Sequence, residues 1–379
     1  MRVALFAESF LPHVNGVTNS VLQVVHHLEE QGHETLVVAP RGGGRREVPR
    51  LRTELVASLP LPAYPDVRVA LAPVRRMRAV IDRFRPDVVH LASPFVLGWQ
   101  ALLAAEPLGI PVVAVYQTDV IAYAERYGVA SAAAMAAAHV GRLHRRATLT
   151  LAPSSAAQAQ LAALGVGGIR RWGRGVDAER FSPRRRSEAW RARIAPGERI
   201  VGYVGRLAAE KQVEDLRALC DLPRTRVVVV GDGPERARLE ARLPGAVFTG
   251  FLGGDDLAEA LASFDVFVHP GESETFCQTV QEALASGVPV VATGRGGPLD
   301  LVRSSVDGWL YRPGDLRDLR DRVVDLLGDD AKRRAFGEAA RESVRTRSWG
   351  ALTEQLVGCY LESLDLAPSR LSKEPPAPR

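Results

Sequence analysis

Three cysteines, Cys220, Cys277 and Cys359, are all that 379 residues contain, and no two form a CxxC pair. So odd and scattered a set gives neither a disulfide framework nor a zinc site, and it points to a reducing cytoplasm. Aromatic residues make up only 6% of the chain, and no basic run is interleaved with stacking rings. A nucleic-acid partner is therefore disfavoured, although the formal charge is +5. No stretch approaches the ~18 consecutive apolar residues of a spanning helix, and the Ala-rich run from Ala130 to Val140 reads as an ordinary helix. The opening MRVALFAESFLP has neither a long apolar region nor a small-residue cleavage site, so no secretory leader is expected. The glycine fingerprint of dinucleotide-binding folds is missing too. The first strand runs into Glu8-Ser9-Phe10 rather than a GxGxxG turn, and Gly231-Asp232-Gly233-Pro234 has Arg236 where the third glycine belongs. An NAD-dependent oxidoreductase is disfavoured at both places.

What remains is an ordinary globular composition, 46% hydrophobic and 25% charged, long enough for two domains that each bury a core. The positive balance suits an anionic substrate or an anionic membrane surface, and compositional bias gives the same number. Short apolar strands alternate with helical stretches, an α/β pattern. Val3–Ala7 is a strand, a loop through Gly16 follows, and Thr18 and Asn19 open a helix with Val21, Leu22, Val24, Val25 and Leu28 on its apolar side. Gly32 closes it, and Glu34–Ala39 is the next strand. Gly16 could let backbone approach a phosphate, and it equally fits an ordinary loop. Residues 41–66, rich in Gly, Arg and Pro, read as irregular. Val74 to Arg85 is a basic amphipathic segment carrying Arg75, Arg76, Arg78, Arg83 and Arg85, either a solvated helix face or a membrane-surface contact.

Strands at 86–90 and 111–116 follow, the second running straight into Gln117-Thr118-Asp119, with Tyr123, Arg126 and Tyr127 downstream. Open α/β sheets bind ligands at the C-terminal ends of their strands. Leu149–Pro153 is the last strand of this half, with Ser154 or Ser155 capping the next helix. The rhythm then restarts: Arg199–Gly205 is a strand with Arg206 and Lys211 beyond its end, Arg226–Val230 is another, and Val247–Gly250 leads to Asp255-Asp256 as a helix cap. Residues 333–344 and 349–364 are the last helices, and the Pro-rich tail from Ala367 is expected to be disordered.

The most informative stretch is FDVFVHPGESETFCQTVQEALASGVPVVATG, residues 264–294. Phe264, Val266 and Val268 make a strand that Pro270-Gly271 stops. Glu272 to Thr275 stand where an N-cap and first turn belong, Val280, Ala283 and Leu284 carry the helix, and Gly287 ends it. Glu274 and Glu282, with seven residues between them, frame that helix. A helix N-terminus seats phosphate, and two flanking carboxylates can take hydroxyls on either side of it. A sugar nucleotide has that layout. Acidic residues near a helix start also arise simply because they complement the macrodipole.

SETFCQTVQEALASGVPVVAT, residues 273–293, resembles the donor segment of the retaining, family-four glycosyltransferases, closest to their GDP-mannose-dependent α-mannosyltransferase-like branch. The resemblance extends over nearly the whole chain, through YQTD at 116–119, GRGVDAERFSP at 173–183 and GRLAAEK at 205–211. It implies the GT-B fold: two facing Rossmann-like domains with an interdomain cleft. The first would span 1–177 and receive a crossover helix, 349–366; the second would span 178–348 and bind the donor. It further implies that Arg206 and Lys211 bind the donor diphosphate, Glu274 the sugar hydroxyls and Glu282 the ribose. Gly16 would face the diphosphate, and backbone N–H groups of Phe276, Cys277 and Gln278 would add to the phosphate seat. Cys277 stands where many relatives have glycine. Gln117 replaces the family's usual histidine near the reaction centre; glutamine cannot act as a base but can accept from a sugar hydroxyl. Asp119 is the ionisable group nearby, in a catalytic, acceptor-positioning or structural role.

The resulting expectation is a hexosyltransferase that acts with retention and without a cofactor or metal, since Asp255-Asp256 reads as a helix cap rather than a metal-binding DxD. Its donor would be GDP-mannose and its acceptor a glycolipid hydroxyl, with the enzyme cytoplasmic or at the inner membrane face through an anionic-membrane contact. A natural-product, aminoglycoside-like acceptor with a UDP- or GDP-sugar is the alternative. Less favoured are a GT-B epimerase or phosphorylase and a non-catalytic sugar-nucleotide binder.

Overall fold

The computed structural model describes residues 1–11, 16–42, 51–61, 64–93, 95–119, 121 and 130–367. Tyr123, Arg126, Tyr127 and the tail beyond Ala367 lie outside the described residues. In the first half the strands are Arg2–Phe6 (β1), Glu34–Pro40 (β2), Thr53–Val56 (β3), Ser58–Leu61 (β4), Tyr64–Ala70 (β5), Val88–Leu91 (β6), Val112–Val115 (β7), Leu149–Ala152 (β8) and Ile169–Arg171 (β9). A seven-stranded parallel sheet runs β3-β2-β1-β6-β7-β8-β9, with β4-β5 as a separate antiparallel ribbon. The second half contributes Arg199–Val204 (β10), Thr225–Val230 (β11), Val247–Gly250 (β12), Val266–His269 (β13), Val290–Thr293 (β14) and Gly308–Tyr311 (β15). These form a six-stranded parallel sheet, β12-β11-β10-β13-β14-β15.

Both faces of each sheet are covered, which is why the inner strands read as unbroken apolar runs such as Val227–Val230. Side chains alternate between the two layers. In the first sheet Ala4, Phe6, Val89 and Leu91 pack under helices Val74–Phe84 and Val96–Ala105. Val3, Leu5 and Val37 pack on the other face with helix Gly16–Glu30 and with Leu352, Leu356 and Tyr360 of the final helix, Trp349–Leu366. That helix returns from the second half and is tied down by Tyr360 Oη to His90 Nδ1 at 2.8 Å and by Trp172 Nε1 donating to the Leu352 carbonyl at 2.8 Å. In the second sheet, Val228, Val230, Phe267 and Val290 face helices Gly254–Ala262 and Gln278–Ala285. Both sheets are thus doubly wound, and the strand order reverses between β1 and β6 and between β10 and β13. Ligands of such sheets bind in the crevice outside those strand ends.

Four expectations are corrected. Within 41–66, read as irregular, the described residues include β3, β4 and the start of β5. These are edge elements: β3 buries only Val56 fully, and Pro60 and Pro65 sit in the ribbon, so neither an apolar run nor clean alternation marks them. Asp255 and Asp256 are not the cap of their helix; Gly253 is, and Asp255 instead pairs with Arg180 and Arg185, each at 3.5 Å. The first helix begins at Gly16 rather than Thr18. The helix of the 264–294 stretch begins only at Gln278, because Cys277 has a left-handed backbone (φ 79°) that no helical turn can include, so Glu272–Thr275 form a loop. Among the described residues no helix is long and apolar enough to cross a membrane.

Candidate active site

The crevice of the second sheet is built from the ends of β10 and β13. Beyond β10, Leu207 N donates to the Asp232 carbonyl and a short 3-10 turn, Ala209–Lys211, swings Lys211 toward β13. There Lys211 Nζ lies 2.5 Å from Glu274 Oε1, and His269 Nε2, from the last residue of β13, lies 3.1 Å from the same oxygen. Burial pushes the Glu274 carboxyl up, but the Lys211 and His269 charges outweigh it and hold it well below the usual carboxylate range. Burial likewise pushes the His269 imidazolium down, and Cys277 and Glu274 together raise it to about 9. Arg206 pairs with the buried Glu210 at 2.5 Å, with its own side chain 42% exposed.

The loop carrying Glu274 is held by backbone as well as by side chains: Glu272 N donates to Gln212 Oε1 and Arg295 Nη1 to Glu272 Oε2, each at 3.0 Å. Gly297 N donates to the Glu274 carbonyl at 2.8 Å, and a Cβ on Gly297 would sit 2.2 Å from the Phe276 carbonyl oxygen. The glycine-rich turn at 294–298 is therefore the bed on which the loop lies. From that loop, helix Gln278–Ala285 presents its N-terminus, and Glu282 sits one turn along, partly buried. Burial raises its carboxyl to about 7, partly offset by a hydrogen bond from Gln278 and by the Arg174 charge.

Residues of the first half meet this loop directly. Thr275 Oγ1 donates to the Gln117 carbonyl at 2.9 Å, Gln278 Nε2 to the Gly175 carbonyl at 3.0 Å, and Gln281 Nε2 to the Arg174 carbonyl at 2.8 Å. The buried Arg174 Nη2 donates to Gln117 Oε1 at 3.0 Å, and its Nη1 fills the space beside Gly16, 2.7 Å from where a Cβ would be. Burial pushes the Arg174 guanidinium down to about 10, with Glu274, Cys277 and Glu282 pulling the other way. So Gly16, Gln117, Glu274, Glu282, Phe276, Cys277, Gln278 and Lys211 gather around one crevice, while Arg206 is held by Glu210 beyond the end of β10. The Gln117 side-chain oxygen, Oε1, expected to face a sugar hydroxyl, accepts from Arg174. Asp119 is held by Tyr116 Oη at 3.2 Å and Gln160 Nε2 at 3.1 Å on the first half.

Arg174, His269 and Thr275 were not picked out from the sequence. Arg174 stands inside the GRGVD phrase, which carried only the family resemblance, and His269 ends a buried apolar strand that gives it no mark of its own. The crevice thus presents a fixed cation cluster, a helix N-terminus and two carboxylates of different strength, an arrangement suited to an anion bearing hydroxyl groups on both sides.

Doubly wound twin sheets, a returning C-terminal helix and this crevice define the class: a GT-B enzyme. The chain superposes on sucrose-phosphate synthase from Thermosynechococcus elongatus with a TM-score of 0.80 over 97% of this chain and 100% of that one, at 21% identity. Residues 14–180 match the family described as Glycosyltransferase Family 4, and residues 185–343 match Glycosyl transferases group 1. The chain is 49% identical over 366 residues to the GDP-mannose-dependent alpha-mannosyltransferase of Mycobacterium tuberculosis, covering 95% of this chain and 96% of that one. It is 50% identical over 367 residues to the protein of that name from Mycolicibacterium smegmatis, covering 95% and 97%. The chain belongs to the family-four glycosyltransferases and is a hexosyltransferase.

Proposed function

We propose that this enzyme transfers mannose from GDP-mannose to a hydroxyl of a glycolipid acceptor, with retention and without a metal ion. The observation that carries the reading is Lys211 and His269 converging on Glu274 at the ends of β10 and β13, in a chain half identical to two GDP-mannose-dependent mannosyltransferases. The chain divides at the 173–183 connection, the donor half being 178–348, while 1–177 with helix 349–366 receives the acceptor. Arg206 and Lys211 bind the diphosphate, where charge develops as the glycosidic bond breaks and fixed cations lower the barrier. Backbone N–H groups at 276–278 extend that seat. Glu274 orders the sugar hydroxyls and Glu282 the ribose. The leaving phosphate takes the acceptor proton on the face that mannose leaves, so no protein nucleophile is required. Gln117 and Asp119 line the acceptor side.

The first half also offers a basic face for a membrane that holds the acceptor. Arg75, Arg76, Arg78 and Arg83 lie exposed on helix Val74–Phe84, and Leu71 just before the helix is exposed as well. Arg76 and Arg83 share Glu54, so the net positive charge of the face is smaller than the arginine count. One assay tests the whole reading: GDP-mannose with glycolipid acceptor in anionic or zwitterionic vesicles, with and without EDTA. The expected result is an α-mannosyl product that EDTA does not reduce, with salt-sensitive protein binding to anionic vesicles only. A product made solely from a UDP-sugar, or one abolished by EDTA, would refute the donor or the metal-free mechanism; equal binding to neutral vesicles would refute the basic face.

Glu282 adds a pH dependence. Burial raises its carboxyl to about 7 in the free protein, and only the carboxylate accepts both ribose hydroxyls at once. Affinity for GDP-mannose, whose diphosphate diester does not titrate in this range, should therefore rise as pH rises through 7 and level off above. Between pH 6 and 8 the gain is about tenfold for a group with that midpoint. Calorimetric titration should show this rise in wild type and a flat profile in Glu282→Gln; a flat wild-type profile would remove Glu282 from the ribose.

A further inference from the structure

We propose that His269, Glu274 and Cys277 form a site for a thiophilic divalent metal ion, Zn2+ in particular, whose occupation excludes the sugar nucleotide. The inhibitory consequence rests on the donor reading of Glu274 and Lys211; the metal site itself does not. One ring nitrogen of His269, one carboxylate oxygen of Glu274 and the Cys277 sulfur lie within 4.8 Å of one another. Tetrahedral zinc with bonds of ~2.0–2.3 Å sets its ligand atoms roughly 3.3–3.8 Å apart, so a contraction of about an ångström closes the site. Side chains of a loop and a helix start can supply that much.

The three are not surface acids that happen to be neighbours. His269 is 1% exposed, and its Nε2 already lies 3.1 Å from Glu274 Oε1. Cys277 is 5% exposed, the one buried cysteine of the three. His269 is fixed as the end of β13 and Cys277 as the N-cap of helix Gln278–Ala285, so both backbones are positioned by regular structure. A nitrogen, oxygen and sulfur donor set selects zinc over magnesium, which takes oxygen ligands. The scarcity of cysteine argues against a cysteine-rich zinc site, but one thiol suffices where imidazole and carboxylate complete the set. Three protein ligands leave the fourth position to water.

Occupation has a built-in cost for the donor. Lys211 and His269 now share one oxygen of Glu274, at 2.5 and 3.1 Å. A metal ion bound by Glu274 repels the Lys211 ammonium and takes the carboxylate. On coordination Cys277 releases its thiol proton, and His269 any second ring proton, to solvent; no redox change occurs. The pocket then loses both the lysine and the carboxylate in their donor-binding positions. Metal and sugar nucleotide become mutually exclusive.

The test uses the full-length protein titrated with CoCl2, whose thiolate complexes absorb by charge transfer, with ZnCl2 as competitor. One cobalt per chain is expected, with a thiolate band that Zn2+ bleaches. Cys277→Ser should lose the band and weaken binding at least about tenfold, the smallest loss that removing even a supporting partner of a metal ligand causes. Cys277→Gly, which the left-handed backbone at 277 accommodates, should do the same, and a Cys220→Ser/Cys359→Ser double variant should keep the band. GDP-mannose should raise the apparent Kd for cobalt more than UDP-glucose, an equal chelator. Absence of the band, its survival in both Cys277 variants, or its loss in the double variant overturns the site. A band that GDP-mannose does not move, in protein that GDP-mannose stabilises, overturns the exclusion. A cobalt site in protein that binds no sugar nucleotide speaks against the donor reading and leaves the metal site standing.

Discussion

Lys211→Ala is expected to lower kcat by about 10²- to 10³-fold, the range found when a preorganised group that stabilises developing charge is removed. Two effects combine. On the donor site proposed above, the leaving diphosphate loses a fixed cation, and Glu274 loses the nearer of its two partners, leaving His269 at 3.1 Å. Burial then works unopposed by the lysine, so the Glu274 carboxyl rises from its depressed range and is less able to accept sugar hydroxyls as an anion. Arginine should not rescue the variant, because a planar guanidinium cannot occupy the place of a compact ammonium beside Glu274. Steady-state kinetics together with a ligand-free melting curve decide the matter. If the variant keeps its kcat and only melts earlier, Lys211 serves merely to neutralise Glu274.

The largest stability effect is expected at the opposite end of the same strands. Asp265, 4% exposed at the start of β13, accepts Ile200 N at 2.8 Å, Arg191 Nη2 at 3.0 Å and Arg186 Nη2 at 3.3 Å. The Arg191 side chain is itself only 11% exposed. Asp265→Ala takes the buried counter-charge from that guanidinium, which keeps the Ser263 and Glu198 carbonyls at 2.6 and 3.3 Å, and leaves the Ile200 N–H without its acceptor; the expected loss is about 3 kcal/mol, the lower end for a buried pair broken from one side. Arg186, at 38% exposure, is solvated and adds little. Urea unfolding should show the lower midpoint, while the folded fraction keeps its affinity for nucleotide, because the residue lies at the end of the sheet away from the crevice. A loss under about 1 kcal/mol would mean that the network behaves as an exposed one.

What could be read from the sequence follows from how each residue earns its position. Inner parallel strands such as β11 are buried on both faces, so apolar runs alone locate them, whereas β3, β4 and β5 lie at edges where burial imposes little pattern. Arg206, Lys211, Glu274 and Glu282 could be singled out as candidates because strand ends and a helix start are marked by local chemistry. The true start of that helix was not. It depends on the left-handed Cys277 and on Gly296 and Gly297, which lie some twenty residues further along the chain and bed the loop from beneath. Arg174 was hidden for the same reason: its partners, Gly16, Gln117 and Gln281, come together only when both halves are folded.

GDP-mannose is expected to seat in the crevice that runs from Lys211 to Glu282. The most direct test is the melting shift of the protein with GDP-mannose against a panel of GDP- and UDP-sugars, in EDTA. At about 100 times its Kd the true donor stabilises by roughly 2.7 kcal/mol, and the shift should be largest for GDP-mannose and lost in Glu282→Ala and Arg206→Ala. No shift with GDP-mannose, or an equal shift in both variants, would contradict the account.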